Sequence, residues 1–484
     1  MASLQGLSGL KAVWRYFEEI TQVPRPSKKE GRIIAYLERF ATDRGLEHKK
    51  DATGNIVIRK GATPGMEGRP TVVLQSHMDM VCEKNSEVVF DFEREAIRTT
   101  VVDGWVKAQG TTLGADDGIG MAAALAVLSA DDLPHGPIEA LFTVDEETGL
   151  TGAFGLAEGM ISGKYLINLD SEDEGEIFIG CAGGVDTVAR MRYIVEPVPL
   201  KWSTWQLSLR GLTGGHSGDD IEKGHANANK LITRFLWRGE RDFSLRLANF
   251  DGGNLRNAIP REAVATFAVP IAEEEKMTRE VELFRSEITD EFKFTEKNIA
   301  LELENSEAEE VLAAECQKKL LDVLRAVPNG VLTMSQTMPG LVETSTNLAS
   351  VKFDGTGTIV LTTSQRSSVE SARRDAMESV ESCFVLAGAI VEHSEGYPGW
   401  GPDPSSHLLA VTVETYEKLF GEKPKIRAIH AGLECGLFLK KYPHLEMVSF
   451  GPTLRGVHSP DERLEIASVE RFWVLLCQIL PNLA

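Results

Sequence analysis

His77 and Asp79 stand two residues apart in SHMDM, directly after the apolar run TVVLQ. Side chains two apart in an extended segment point to the same side. An imidazole able to hold a metal and a carboxylate able to orient that imidazole would therefore share one face. Glu146 and Glu147 follow a second apolar run, IEALF, and Asp170 closes a third, YLINL. Adjacent carboxylates in an extended chain diverge, so one of the glutamates can bind a cation while the other stays free as a base. Asp116 and Asp117 lie in GTTLGADDGIGMA, a glycine-flanked loop that opens a helix. One carboxylate there can bridge two cations about 3.5–4 Å apart. His458 follows the apolar segment ending in SFGPTLRGV. Each feature alone has an ordinary explanation: a structural histidine after a strand, a solvated acidic turn, an aspartate capping a helix. Together, two histidines and several carboxylates without cysteine match the mixed nitrogen and oxygen donors of catalytic rather than structural zinc sites.

Converging strand ends would bring these motifs together. Over residues 1–185, helical runs at 11–21, 29–44 and 118–130 alternate with short apolar strands at 55–59, 71–75, 138–144 and 165–169. That alternation predicts an α/β domain with a mostly parallel sheet. Ligands bind such sheets at the carboxyl ends of the strands, where His77, Glu146, Glu147 and Asp170 all fall. Over 186–396 the pattern changes. Strands at 204–210, 244–250, 262–269, 299–304, 347–352, 357–363 and 389–395 surround helices near 226–237, 273–290, 309–326 and 368–387. This predicts an α+β domain of one or two split βαβ units, the second half duplicating the first in architecture. The Gly- and Pro-rich SEGYPGWGPDP (394–404) reads as a linker. Over 397–484 the α/β style resumes, with helices at 406–420, from Leu433 and at 467–479, and a strand at Met447–Phe450. The expectation is a catalytic domain in two segments, 1–185 and 397–484, interrupted by an inserted domain, 186–396.

The chain has 484 residues, 42% hydrophobic and 25% charged, with a formal charge of −21. Such a length calls for more than one domain. The acidity argues against a nucleic-acid partner, which selects a basic face. No apolar run is long enough to span a bilayer. The N-terminal stretch MASLQGLSGLKAVWRYFEEI lacks the pattern of an export signal, and the six cysteines form no CxxC pair. A reducing, cytoplasmic setting is expected.

The ordered set SHMDMV, GTTLGADDGIGMA, DEETGLTGAFGL, NLDSEDEGEIFIGCAGG, GGHSGDDI, GGNLRNAIP and GVHSPDERLEI resembles the bacterial aminoacyl-histidine dipeptidases. These belong to the two-zinc aminoacylases, carnosinases and carboxypeptidases. The resemblance implies a zinc-exopeptidase-like catalytic domain carrying an inserted lid and dimerisation domain. It implies two zinc ions per subunit, with manganese or cobalt as alternatives. His77 and Asp170 would hold one ion, Glu147 and His458 the other, and Asp116 both. Asp79 would support His77, and Glu146 would be the general base. A cis peptide is implied after Asp116. His216, in GGHSGDDI, would assist the reaction, commonly from a partner subunit. Asn257 and Arg366 are candidates for substrate binding, since a guanidinium grips a carboxylate in bidentate fashion. His430 and Glu434, in AIHAGLECGLF, resemble a segment lining the site, with Glu434 in contact with substrate.

The expected partners are small dipeptides of the Xaa-His kind and a second copy of the chain, with no nucleic acid or membrane. Competing readings are an aminopeptidase, a tripeptidase or an N-acyl amino acid deacylase of the same architecture. A metal-binding scaffold without catalysis would be expected to lose Glu146 or a ligand, and here all are present.

Overall fold

The computed structural model describes Leu4, Leu7 and residues 10–483. Most of the N-terminal nonapeptide, on which the absence of an export signal partly rests, lies outside the described residues. The chain divides into two compact units. The first comprises 1–180, 402–428 and 434–484; the second comprises 181–401 and 429–433. The first unit is thus discontinuous, and the second claims a further five-residue segment, 429–433, beyond the expected boundary. The linker expected at 394–404 is tied into the inserted unit by bridges between Tyr397 and Gly184 and between Trp400 and Cys181.

The first unit is built on an eight-stranded sheet. Its centre is parallel: Ile138–Thr143, Val72–His77, Tyr165–Asn168 and Glu446–Ser449 run side by side in one direction. Ile56–Lys60 and Glu47–Lys50 extend one side antiparallel. Glu176–Cys181 and Lys425–Ile429 extend the other. The central strands are buried on both faces, which explains their unbroken apolar runs. Lys11–Thr21, Gly31–Asp43, His407–Phe420 and Ile466–Ile479 are amphipathic cover helices. Ala115–Ser129 is different, because it is buried nearly all round. Its small side chains let it lie against the sheet and the Lys11–Thr21 helix. Asp116 and Asp117 depart from helical backbone angles, so the regular helix starts at Gly118.

The inserted unit carries a nine-stranded antiparallel sheet. Half of it is the order Ala300–Asn305, Trp202–Arg210, Ala263–Pro270, Arg246–Gly252, with helices Ala228–Phe243 and Glu274–Glu291 as crossovers. The other half is Val342–Phe353, Thr358–Ser367, Gly183–Arg192, Ile390–His393, with helices Ala314–Ala326 and Glu370–Leu386. Each half is a split βαβ unit. They are nested rather than consecutive. The second opens with Gly183–Arg192, is interrupted by the whole of the first, and resumes at Ala314. That nesting hides the duplication from any search for tandem repeats. Gly330–Met334, a strand absent from the predicted set, adds to Val342–Phe353.

The halves join where Gly252 pairs with Val351. A Cβ on Gly252 would lie 2.0 Å from Asn229 Oδ1, and Asn229 is fully buried with its amide donating to Leu348 O. Gly252→Ala should therefore overpack this junction. The expected loss is about 1–3 kcal/mol, read as a lower urea midpoint than that of the wild-type protein.

Candidate metal centre and flanking polar groups

The parallel strands deliver their acidic and imidazole side chains to one end of the sheet. His77 is the last residue of its strand and is 1% exposed. Its Nε2 lies 3.0 Å from Asp116 Oδ1 and 3.5 Å from Asp170 Oδ1. The other oxygen of Asp116 lies 3.1 Å from His458 Nε2, and that nitrogen is 2.9 Å from Glu147 Oε2. Two donor groups result, His77–Asp116–Asp170 and Asp116–Glu147–His458, each with its ligand atoms within 4.8 Å of one another. Asp116 is common to both. His458 is 53% exposed, so its group is the one open to solvent. The Asp116–Asp117 peptide is cis.

The turn bearing Glu146 and Glu147 is not extended. It is one helical turn, Glu146–Gly149, entered through Asp145 at φ 49°. Adjacent side chains on a helix splay by about 100°, which separates the two glutamates as an extended chain would have. Asp145 shapes the turn by accepting from the hydroxyls of Thr148 and Thr151, and Glu30 accepts from its amide at 3.0 Å. Asp79 completes it, accepting from the amides of Glu146 (3.0 Å) and Glu147 (3.3 Å) and from the Ser27 hydroxyl (2.8 Å). Its Oδ1 also lies 3.3 Å from His77 Nδ1. One carboxylate thus bears on the imidazole and on both glutamates. Ser27 was not legible as a partner, because nothing in PRPSKKE separates it from a loop serine.

The electrostatics fit a cation pair. Burial pushes the Asp170 carboxyl up to about 7, with repulsion from Asp116 adding to it. Burial also raises Glu146 well above the carboxylate range, against the opposing charge of His77 and with Asp170, Glu434 and Glu147 contributing. His458 is raised to about 11 by its hydrogen bonds to Asp116 and Glu147. Burial opposes the charged form of His77, but Asp170, Asp116 and Asp79 outweigh it and raise that group too. Burial opposes the charged form of Asp116, but its contacts with His458 and His77 outweigh it and lower that carboxyl. Asp79 is a second secure anion. Burial works against it, yet the contact with His77, the Ser27 hydroxyl and the Glu146 amide hold it down at about 2. Protons accumulate where carboxylates crowd, and divalent cations would take their place, since metal binding displaces protons from its ligands.

Glu434 lies behind this cluster. It is 2% exposed and accepts from Gln75 Nε2 at 2.7 Å and Thr143 Oγ1 at 2.8 Å. Its other oxygen is buried without a hydrogen-bond partner, and burial raises its carboxyl to about 8. Direct contact with a substrate would require its surroundings to open.

The remaining candidates fall in the inserted unit. His216 Nδ1 accepts from the amides of Gly218 (3.3 Å) and Asp219 (3.2 Å). An acceptor Nδ1 places the ring proton on Nε2, and burial together with the charge of Arg366 lowers the pKa of the ring. His216 is therefore a neutral Nε2–H donor. Asn257 is exposed and anchors the same loop through its carbonyl, which accepts from the Ser217 amide at 2.8 Å. Arg366 is 6% exposed, with Nη1 donating to Tyr397 Oη at 2.9 Å and a buried Nε that has no partner. His430 pairs with Ser345 Oγ at 2.8 Å. Tyr397 and Ser345 were missed because a Tyr in a Gly/Pro-rich stretch and a Ser in a β-strand carry no mark of chemistry.

Residues 73–482 match the model of peptidase family M20/M25/M40, and the chain belongs to this family. It is 44% identical over 484 residues to the cytosol non-specific dipeptidase of Escherichia coli K12, covering 100% of this chain and 99% of the relative. The crystal structure of aminoacylhistidine dipeptidase from Vibrio alginolyticus superposes with a TM-score of 0.94 at 43% identity, over 99% of this chain and 98% of that one. The aminopeptidase PepT of Bacillus cereus, at 19% identity and a TM-score of 0.56 over 99% and 100% of the two chains, shows the fold alone. The membership expected from the motifs and the mixed α/β peptidase fold are both shown.

His430 supplies a pH test. Burial, with Arg366 and His216 nearby, lowers its pKa from 6.5 to about 3. Between those values the unfolded chain binds a proton that the folded chain does not, so stability falls as pH falls. The wild-type protein should lose on the order of a few kcal/mol more than His430→Gln between pH 7 and pH 4. Urea midpoints of the two proteins across that range would measure it, and parallel curves would contradict it.

Proposed function

We propose that the chain is a two-metal dipeptidase, cutting the peptide bond of short unblocked substrates of the Xaa-His kind with wider tolerance. One observation carries the reading: Asp116 presents one oxygen to each of two histidine–carboxylate groups. Full-length similarity to two proteins named as dipeptidases supports the substrate class. His77 and Asp170 would hold one zinc, Glu147 and His458 the other, and Asp116 both; manganese or cobalt would suit the same donors. Bound there, the metal pair would polarise the scissile carbonyl and make the attacking water more acidic.

The protein's own groups supply the rest. Glu146 takes the proton from the attacking water and returns it to the leaving amine. Asp79 keeps Glu146 and Glu147 in register by holding both amides. His216 offers its Nε2–H to the oxyanion of the tetrahedral intermediate. Arg366 receives the substrate's C-terminal carboxylate, for which its unpartnered buried Nε is suited, and Asn257 assists. The reading extends to a homodimer, on the family resemblance. It also extends to the cytoplasm, which the relative named as cytosolic supports. Among the described residues no helix is long and apolar enough to cross a membrane.

Glu146→Gln should keep its bound metal and lose turnover by about 10²–10⁴-fold. Metal analysis beside single-turnover kinetics measures both, and near-wild-type turnover would remove Glu146 as the base. His216→Ala should lower kcat strongly at unchanged metal content. A panel of carnosine, other Xaa-His dipeptides, tripeptides and N-acetyl amino acids tests the substrate class. Preference for the last two would favour a tripeptidase or a deacylase.

A further inference from the structure

Asp116 can serve two donor groups only if its loop is held still, and its own neighbours do not hold it. The stretch 113–116 precedes the regular helix, which starts at Gly118, and Gly114 within it has no side chain to serve the free amides there. Such amides need an acceptor. Here the acceptor is Glu462. Its carboxylate takes the amides of Leu113 (2.6 Å), Gly114 (3.0 Å) and Ala115 (2.7 Å), with a longer contact to that of Asp116 (3.4 Å). Glu462 is 2% exposed. It lies four residues beyond His458, in a turn closed by its own amide donating to Ser459 O. A carboxylate has about four lone-pair sites, so this one side chain can answer the whole row.

The carbonyl side of the same loop is held by Arg25. Its guanidinium, also 2% exposed, donates to Met78 O at 3.1 Å and to Asp79 O and Gly114 O. Gly114 therefore has its N–H on Glu462 and its C=O on Arg25. The fit leaves no room for a side chain, because a Cβ there would lie 2.7 Å from Arg25 Nη2. Through these two residues the loops bearing His77, Asp116 and His458 are fastened to one another.

We propose that Glu462 and Arg25 are positioning residues for the cation pair. They fix the Asp116 carboxylate between its two donor groups, and they set cation affinity without touching a cation. The proposal rests on the reading of Asp116 as the shared ligand.

The test measures zinc affinity of the full-length protein by competition with a chromophoric chelator, with the thermal midpoint of the metal-free protein in parallel. Glu462→Gln keeps the shape but faces the amides with only one acceptor oxygen. Arg25→Lys keeps the charge but reaches fewer carbonyls. Each should weaken zinc binding per folded chain by about 10–100-fold, the range found for groups that orient metal ligands. A residue that merely supports the fold would lower the midpoint and leave affinity per folded chain unchanged, which would overturn the proposal. Arg25→Lys carries the test should Glu462→Gln not fold. Asp116→Asn is the reference. If it binds zinc normally, the shared-ligand reading fails. If it loses zinc while both positioning variants bind normally, this proposal alone fails.

Discussion

The two oxygens of Asp116 face different histidines, His77 on one side and His458 on the other. Those histidines are 381 residues apart in the sequence, 458 less 77. One comes from the end of a central strand and the other from the third segment of a discontinuous unit. For a single carboxylate to meet both, the loop at 113–117 must leave the helical path before the helix proper begins, and it does so at Asp116 and Asp117. The buried Ala-rich helix behind it serves the same end, since a helix of small side chains lets the loop's backbone approach the sheet ends. Placing the other donors then follows from strand geometry. Parallel strands deliver their carboxyl ends to one edge, where the donors His77 and Asp170 and the turn bearing Glu146 and Glu147 are found.

Crowding carboxylates at that edge has an electrostatic consequence that the fold must absorb. Asp170 and Glu146 are pushed toward their protonated forms while His77 and His458 are pushed toward theirs. Asp116 and Asp79 remain firm anions, Asp116 through its contacts with both histidines and Asp79 through donors from a hydroxyl, two amides and an imidazole. The contrast sets the carboxyls that gather protons, Asp170 and Glu146, apart from those that keep their charge, Asp116 and Asp79. It also explains why Asp79 can organise Glu146 and Glu147, which need opposite treatment in the proposed reaction.

Much of this was legible in the sequence, for physical reasons. Buried parallel strands have to be short apolar runs, so TVVLQ, IEALF and YLINL betrayed the sheet, and polar residues at their ends betrayed the site. What escaped was whatever depends on contacts distant in sequence. Arg25 in PRP and Glu462 in SPDERLEI look like solvated charges, and only the fold shows each buried against backbone groups. The nested halves of the inserted unit escaped for a related reason: a repeat interrupted by its own copy leaves no period. The Glu146–Glu147 turn was expected to be extended and is helical, because the threonines that Asp145 gathers lie three and six residues further on.

The central claim is that one carboxylate serves two cations. Zinc titration of the metal-free wild-type protein and of Asp116→Ala, followed by calorimetry, tests it most directly. The account predicts two zinc ions bound by the wild-type chain and the tight binding of both lost together in the variant. Retention of one tightly bound zinc, with the affinity of its wild-type counterpart, would contradict it.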